Sequence, residues 1–183
     1  MDSKFIHLHT HSHYSLLDGL TKLEQMVDIA KSHKMGAIAL TDHGNMYGAI
    51  EFYKLCKKEG VKPIIGVEAY ITAGSRHDRT TEAGGTKRYY HLILLAKNLQ
   101  GYKNLMRLVS ISNMEGYYYK PRMDKEILRE YHEGIIALSA CMGGELSQAV
   151  LKNDIEKADK LIIEHQEIFG KENWWQTYSD INT

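Results

Sequence analysis

The sequence predicts an α/β fold in which a parallel sheet or barrel is covered by helices, and three observations predict it. Strand-like and helix-like stretches alternate five times along the chain, the pattern of successive βα units. The run Ala37-Ile38-Ala39-Leu40 is continuously apolar, as suits a strand buried on both faces. Residues with metal-binding or acid–base chemistry gather near the ends of the strand-like stretches, where ligands collect in α/β folds.

The elements follow in order. Residues 5–9 read as a short strand that carries His7 and His9. Thr21 with Glu24 three residues later forms a capping-box pattern. Leu23, Met26, Val27 and Ala30 then recur at helical spacing, and Gly36 supplies a stop. The apolar strand 37–40 ends in the polar turn Thr41-Asp42-His43-Gly44-Asn45. A second helix is expected over 48–59, closed by Gly60, and a third strand over 63–71 with Glu68 inside it.

Residues 72–88 are polar and contain Arg76, Arg79, Lys87 and Arg88. They read as an exposed insertion whose basic groups are solvated or touch a phosphate-bearing ligand. A fourth strand over 89–96 carries His91, and Asn98 caps a helix to about residue 115. Residues 116–122 read as irregular, and Asp124 caps a short helix to residue 131. The fifth strand covers 135–140, with Cys141 and Gly143-Gly144 after it. Helices are expected over 145–152 and 154–169, the second with Ile155, Ala158, Ile162 and His165 or Ile168 inward.

Composition narrows the function. A chain of 183 residues with 43% hydrophobic content can bury a core. Lysine plus arginine equals aspartate plus glutamate, 23 each, so no whole-chain field favours nucleic acid or a membrane surface. Two cysteines are too few for a disulfide framework and suit a reducing compartment. No apolar run reaches the roughly 18 residues of a membrane span, and the start lacks an apolar signal core. The expectation is a soluble cytoplasmic protein. Walker-type glycine loops and Gly-x-Ser-x-Gly elbows are absent from the sequence.

Histidines occupy alternate positions at His7, His9, His11 and His13. Alternate side chains of a strand share a face, so several imidazoles can converge. Relative to the strands, seven positions form a candidate metal pocket: His9, His11, Asp18, His43, Glu68, His91 and Cys141. His91 fits less well, because it lies early in its strand. Imidazole, carboxylate and thiolate together suit zinc, manganese or iron better than magnesium or calcium. That many ligands exceed the needs of one tetrahedral ion, so more than one ion is expected. Paired cations suit phosphate-ester hydrolysis.

Plainer readings exist for each residue. A lone His-x-His arises by chance, Asp42 with His43 would also suit a helix cap, and His91 would also suit a core histidine. Cys141 would also suit a small buried hydrophobe. Glu68 resists such a reading, because a buried carboxylate needs a partner. Asp42 is expected to orient His43, and Cys56 to sit in the core. The three tyrosines from Tyr117 could stack on bases, although a packed loop is the simpler expectation.

Six motifs in order resemble the polymerase and histidinol phosphatase (PHP) domain family, in the branch carried by bacterial replicative polymerases. They are His-Leu-His-Thr-His-Ser-His-Tyr-Ser-Leu-Leu-Asp-Gly, Leu-Thr-Asp-His-Gly-Asn-Met-Tyr-Gly, Lys-Pro-Ile-Ile-Gly-Val-Glu-Ala-Tyr, His-Leu-Ile-Leu-Leu-Ala-Lys-Asn, Tyr-Tyr-Lys-Pro-Arg-Met-Asp and Leu-Ser-Ala-Cys-Met-Gly-Gly-Glu. The resemblance implies a distorted (βα)7 barrel with up to three divalent ions, zinc or manganese foremost, and assigns ligand roles to the same seven residues. His9, His11, Asp18, His43 and Glu68 would carry the catalysis. It implies metal-dependent phosphoesterase or 3′–5′ exonuclease chemistry. DNA would be met through a full-length polymerase, and a proofreading exonuclease subunit is an expected partner.

The family's late Asp-x-His does not occur. The expectation is therefore a partial PHP domain over 1–173, with about five βα units, and a divergent tail over 174–183. Two alternatives stay open: a stand-alone phosphatase on a small phosphomonoester such as histidinol phosphate, and a non-catalytic platform for a proofreading exonuclease.

Overall fold

The computed structural model describes residues 5–16, 18–79 and 89–177. They fall into two compact units, Met1–Glu68 and Ala69–Thr183.

The first unit contains α1 (Leu23–Ser32), β1 (Ala37–Leu40), α2 (Ala49–Glu59) and most of β2 (Lys62–Ile71). β1 runs parallel to β2, from Ala37 opposite Lys62 to Leu40 opposite Ile65. Leu23, Met26, Val27 and Ala30 of α1 pack with Phe52 and Cys56 of α2 and with Ile38 and Leu40 of β1. Cys56 is fully buried, and burial pushes its thiol up to about 11. Gly60 closes α2 at φ 74°, in the left-handed region that favours glycine.

Three local expectations change here. Residues 5–9 do not form a strand. Their segment lies against β1 through Ala39 N donating to His7 O and Thr41 N donating to Thr10 O, both 2.9 Å. The Thr41 hydroxyl replaces a backbone partner, accepting from Thr10 N and donating to Thr10 O, so no regular ladder extends toward residue 5. The cap at α1 uses Gln25, which accepts from Lys22 N, in place of the Thr21–Glu24 pair. Lys34 at φ 53° makes the turn after α1, ahead of Gly36.

The second unit takes up the end of β2 and continues with β3 (Tyr90–Ala96), α3 (Leu99–Met114), β4 (Tyr117–Tyr118) and β5 (Lys120–Met123). After these come α4 (Lys125–Glu130), β6 (Ile135–Leu138), α5 (Glu145–Leu151), α6 (Ile155–Phe169) and β7 (Trp174–Trp175). Strand order is β4-β5-β2-β3-β6-β7. Asn98 and Asp124 cap α3 and α4 as expected, accepting from Gly101 N at 2.9 Å and Ile127 N at 3.2 Å.

β3 and β6 pair antiparallel, Ile93 opposite Leu138, against the expected all-parallel sheet. The cause is the β4–β5 hairpin, with Tyr118 opposite Lys120. It adds a reversal to simple βα alternation, so the strand after α4 returns opposite to β3. Residues 116–122 were expected to be irregular, but they form this hairpin, with Tyr117 opposite Pro121. In α6, Leu161, His165, Ile168 and Phe169 are buried with Ala158, whereas Ile155 is 53% exposed, since it occupies the first, outward turn. β7 runs parallel to β6, and Trp174 stacks on His165 at 4.4 Å.

Within 72–88, Arg76 is not solvated. Its guanidinium pairs with Glu115, Asp124 and Glu126. The buried Arg122 guanidinium donates to the carbonyls of Arg76 and Asp78 and pins the same segment. Lys87 and Arg88 lie outside the described residues.

Candidate metal centre

The centre of the first unit is built on Glu68, late in β2 and 1% exposed. Its neighbour across the sheet is His43, just beyond β1, which forms a parallel bridge with it. The register of β1 against β2 therefore sets this pair. Glu68 Oε2 meets His9 Nε2 at 3.2 Å, His11 Nε2 at 3.1 Å and His43 Nδ1 at 2.9 Å. Three imidazoles thus converge on one carboxylate oxygen. On its other side, His43 Nε2 lies 2.7 Å from Asp18 Oδ2. The rings of His11 and His43 stack at 4.2 Å.

The donors fit a metal ion. His9 Nε2 and His11 Nε2 are 3.1 Å apart, so with Glu68 Oε2 they form a nearly equilateral triangle. Its centre lies about 1.8 Å from each corner, just inside the roughly 2.0–2.1 Å that zinc takes from nitrogen and oxygen. His9, His11 and Glu68 would hold the ion.

Burial draws the His43 imidazole down, but hydrogen bonds and charge from Glu68 and then Asp18 outweigh it, so it stands above its ordinary value. Protons and a divalent cation are therefore alternatives for the same carboxylates.

Asp42 was expected to orient His43. It is 1% exposed and works through serines. It accepts from Ser12 N at 2.7 Å, Ser12 Oγ at 2.8 Å and Ser15 Oγ at 2.7 Å. Ser15 Oγ then accepts from His43 N at 3.1 Å and lies 3.3 Å from His11 Nδ1. Ser12 and Ser15 were not singled out in the sequence. The available signal was their position among the histidines, since a ligating imidazole needs a partner on its other nitrogen.

In the second unit, His91 and Cys141 are drawn together. A ring nitrogen of His91 and Cys141 Sγ lie within 4.8 Å. His91 N donates to Gly143 O at 3.0 Å, and Gly143 N donates to Cys141 Sγ at 3.4 Å. A Cβ at Gly143 would sit 2.9 Å from His91 Nδ1, so any larger residue there would displace the ring. The structure thus groups His9, His11, Asp18, His43 and Glu68 in one unit and His91 with Cys141 in the other.

A family model described as PHP domain matches residues 7–183. The chain is 52% identical over 170 residues to the DNA polymerase III subunit alpha of Borreliella burgdorferi, covering 93% of this chain and 15% of that protein. It is 48% identical over 176 residues to the protein of the same name from Treponema pallidum, covering 96% and 15%. The chain therefore spans about 15% of the length of these curated relatives. A solved amidohydrolase from Chromobacterium violaceum, with bound sulfate and no metal, shares the fold. Its TM-score is 0.53 at 15% identity, over 96% of this chain and 86% of that one.

Proposed function

This chain belongs to the PHP domain family, and from that premise we propose that it is the metal-dependent phosphoesterase module of a bacterial replicative DNA polymerase, of 3′–5′ exonuclease type. His9, His11, Asp18, His43 and Glu68 carry the chemistry. His91 and Cys141 are assigned ligand roles on the donor pair they form in the second unit. Zinc or manganese is the proposed metal, as the mixture of imidazole, carboxylate and thiolate favours. One observation carries the reading: a buried carboxylate oxygen faces three imidazole nitrogens at 2.9–3.2 Å.

When bound, divalent ions of this kind polarise a phosphoryl group and supply hydroxide near neutral pH. The chain's own residues prepare that chemistry. Glu68 and the imidazoles of His9 and His11 hold the charge, and Asp42 fixes His11 through Ser15. Asp18, with a side chain 53% exposed, stands at the solvent edge, where it can take a proton from an attacking water. His43 lies between Asp18 and Glu68, 2.7 Å from Asp18 Oδ2 and 2.9 Å from Glu68 Oε2, and holds Asp18 in place.

DNA reached through a full-length polymerase is the proposed substrate, and a proofreading exonuclease subunit a proposed partner. The relatives, DNA polymerase III alpha subunits, support DNA as the substrate. Two cysteines without a disulfide fit a cytoplasmic location, and among the described residues no helix is long and apolar enough to cross a membrane. The test is metal analysis of the purified chain, then hydrolysis of single-stranded DNA and of p-nitrophenyl phosphate after loading with zinc or manganese. Bound metal and release of nucleotides are expected. A folded chain that takes up neither metal would overturn the reading.

A further inference from the structure

The β4–β5 hairpin presents two aromatic rings to solvent. Tyr117 is 55% and Tyr119 65% exposed, while Tyr118 between them takes the Arg122 guanidinium at 5.2 Å over its ring. Tyr117 and Tyr118 alternate across the short strand β4. Tyr119 occupies the single-residue tip of the hairpin at φ 60°, a conformation that bulky side chains rarely adopt. Such outliers cluster where a side chain must be presented in one direction.

A line of rings runs from this hairpin to the candidate ligand His91. Lys120 Nζ lies 5.3 Å above the Tyr70 ring. Tyr70 meets Tyr89 edge-on at 4.9 Å and His91 at 5.4 Å. Tyr89 and His91 are parallel within 4° at 6.2 Å. Near the hairpin, Arg76 engages Glu115, Asp124 and Glu126. Lys120 and Arg79 remain exposed at its edge. Flat exposed rings beside an ammonium group match a ligand of stacked bases and phosphates. They match a small phosphomonoester poorly, because it has nothing to lay on Tyr117 and Tyr119.

We infer that the β4–β5 hairpin is a stacking platform for single-stranded DNA, with Tyr117 and Tyr119 under successive bases, Lys120 on a phosphate and Tyr89 beside the nucleotide that reaches His91. The inference rests on the nucleic-acid substrate proposed above and names the surface that would hold it.

The test uses the 183-residue chain, a fluorescent oligothymidine and anisotropy in EDTA, so that metal ligation does not contribute. Tyr117→Ala and Tyr119→Ala should each weaken binding by about 5- to 100-fold, the range of one base–aromatic stack. Tyr117→Phe and Tyr119→Phe should bind as the parent does, which separates stacking from folding. Lys120→Met should reduce the slope of log affinity against log salt by about 0.7. Alanine variants with parental affinity would overturn the platform, as would a hairpin that proves to cover a protein partner while DNA affinity is untouched. Hydrolysis of p-nitrophenyl phosphate without DNA binding would sink the platform and leave the metal centre standing. DNA binding without metal uptake would do the reverse.

Discussion

Glu68 and Asp124 are buried almost equally, at 1% and 2% exposure, yet their surroundings differ in kind. Asp124 accepts from Arg76 N at 2.8 Å, from the Arg76 guanidinium at 3.1 Å and from Ile127 N at 3.2 Å. Its counter-charge is a guanidinium, permanently charged and tethered to the chain. Glu68 faces imidazoles, the commonest protein ligands for metal ions. Its counter-charge is exchangeable and can be a proton or a metal ion. The difference teaches that burial alone does not mark a functional carboxylate. A permanent cation makes a structural staple, whereas exchangeable neighbours make a centre that can load and unload.

The strongest test of that contrast is to remove the staple. Arg76→Met strands a buried carboxylate and should lower stability by about 3 kcal/mol in urea unfolding, while metal affinity stays as it was. Loss of metal binding together with stability would merge the two regions and break the comparison. Next comes Glu68→Gln, which should reduce metal affinity by about 100-fold or more by calorimetry, with little loss of stability in the metal-free chain. If Glu68→Gln instead unfolds the metal-free chain, Glu68 is a staple as well.

Asp42→Asn should weaken metal binding by about 10- to 100-fold, because Ser15 then loses its anchor and His11 its orientation. Unaltered affinity would show that the serine relay does not position the ligands.

The smallest effects are in pH. His43 is held above its ordinary value by Glu68 and Asp18 despite burial. In the metal-free chain its stabilising contribution is therefore full below its unfolded value and disappears as pH rises through the folded one. Metal competes with that proton, so affinity should fall as pH drops through the same window. His165 behaves oppositely. Burial lowers it, with the Leu161 carbonyl only partly offsetting. Its neutral ring is favourable above the unfolded value, and stability is lost as pH falls toward the folded one. Thermal melts of the metal-free chain, compared with His43→Gln and His165→Gln, should show slopes changed in opposite directions. Equal slopes in all three would remove the electrostatic distinction.

Local features were legible because their causes are local. The apolar run 37–40, the caps at Asn98 and Asp124 and the left-handed Gly60 each depend on a few neighbouring residues. The chemistry of the site was equally legible as a donor set, because imidazole, carboxylate and thiolate announce themselves by type. Features with distant causes were not. Gln25 displaced the Thr21–Glu24 cap, and residues 116–122, read as irregular, form a hairpin whose Arg122 and Met123 pair with the distant β2. Arg76 looked like a solvated cation until three acids from other elements closed on it.

By itself, the chain's order of residues determined the α/β class, most helix boundaries and which side chains are of a type that can ligate a metal, since these follow from periodicity and residue type. Only the tertiary structure decided which donors meet. The β1–β2 register sets His43 opposite Glu68, and a serine pair links Asp42 to His11. Such meetings depend on distances between residues tens of positions apart, and no local propensity encodes them.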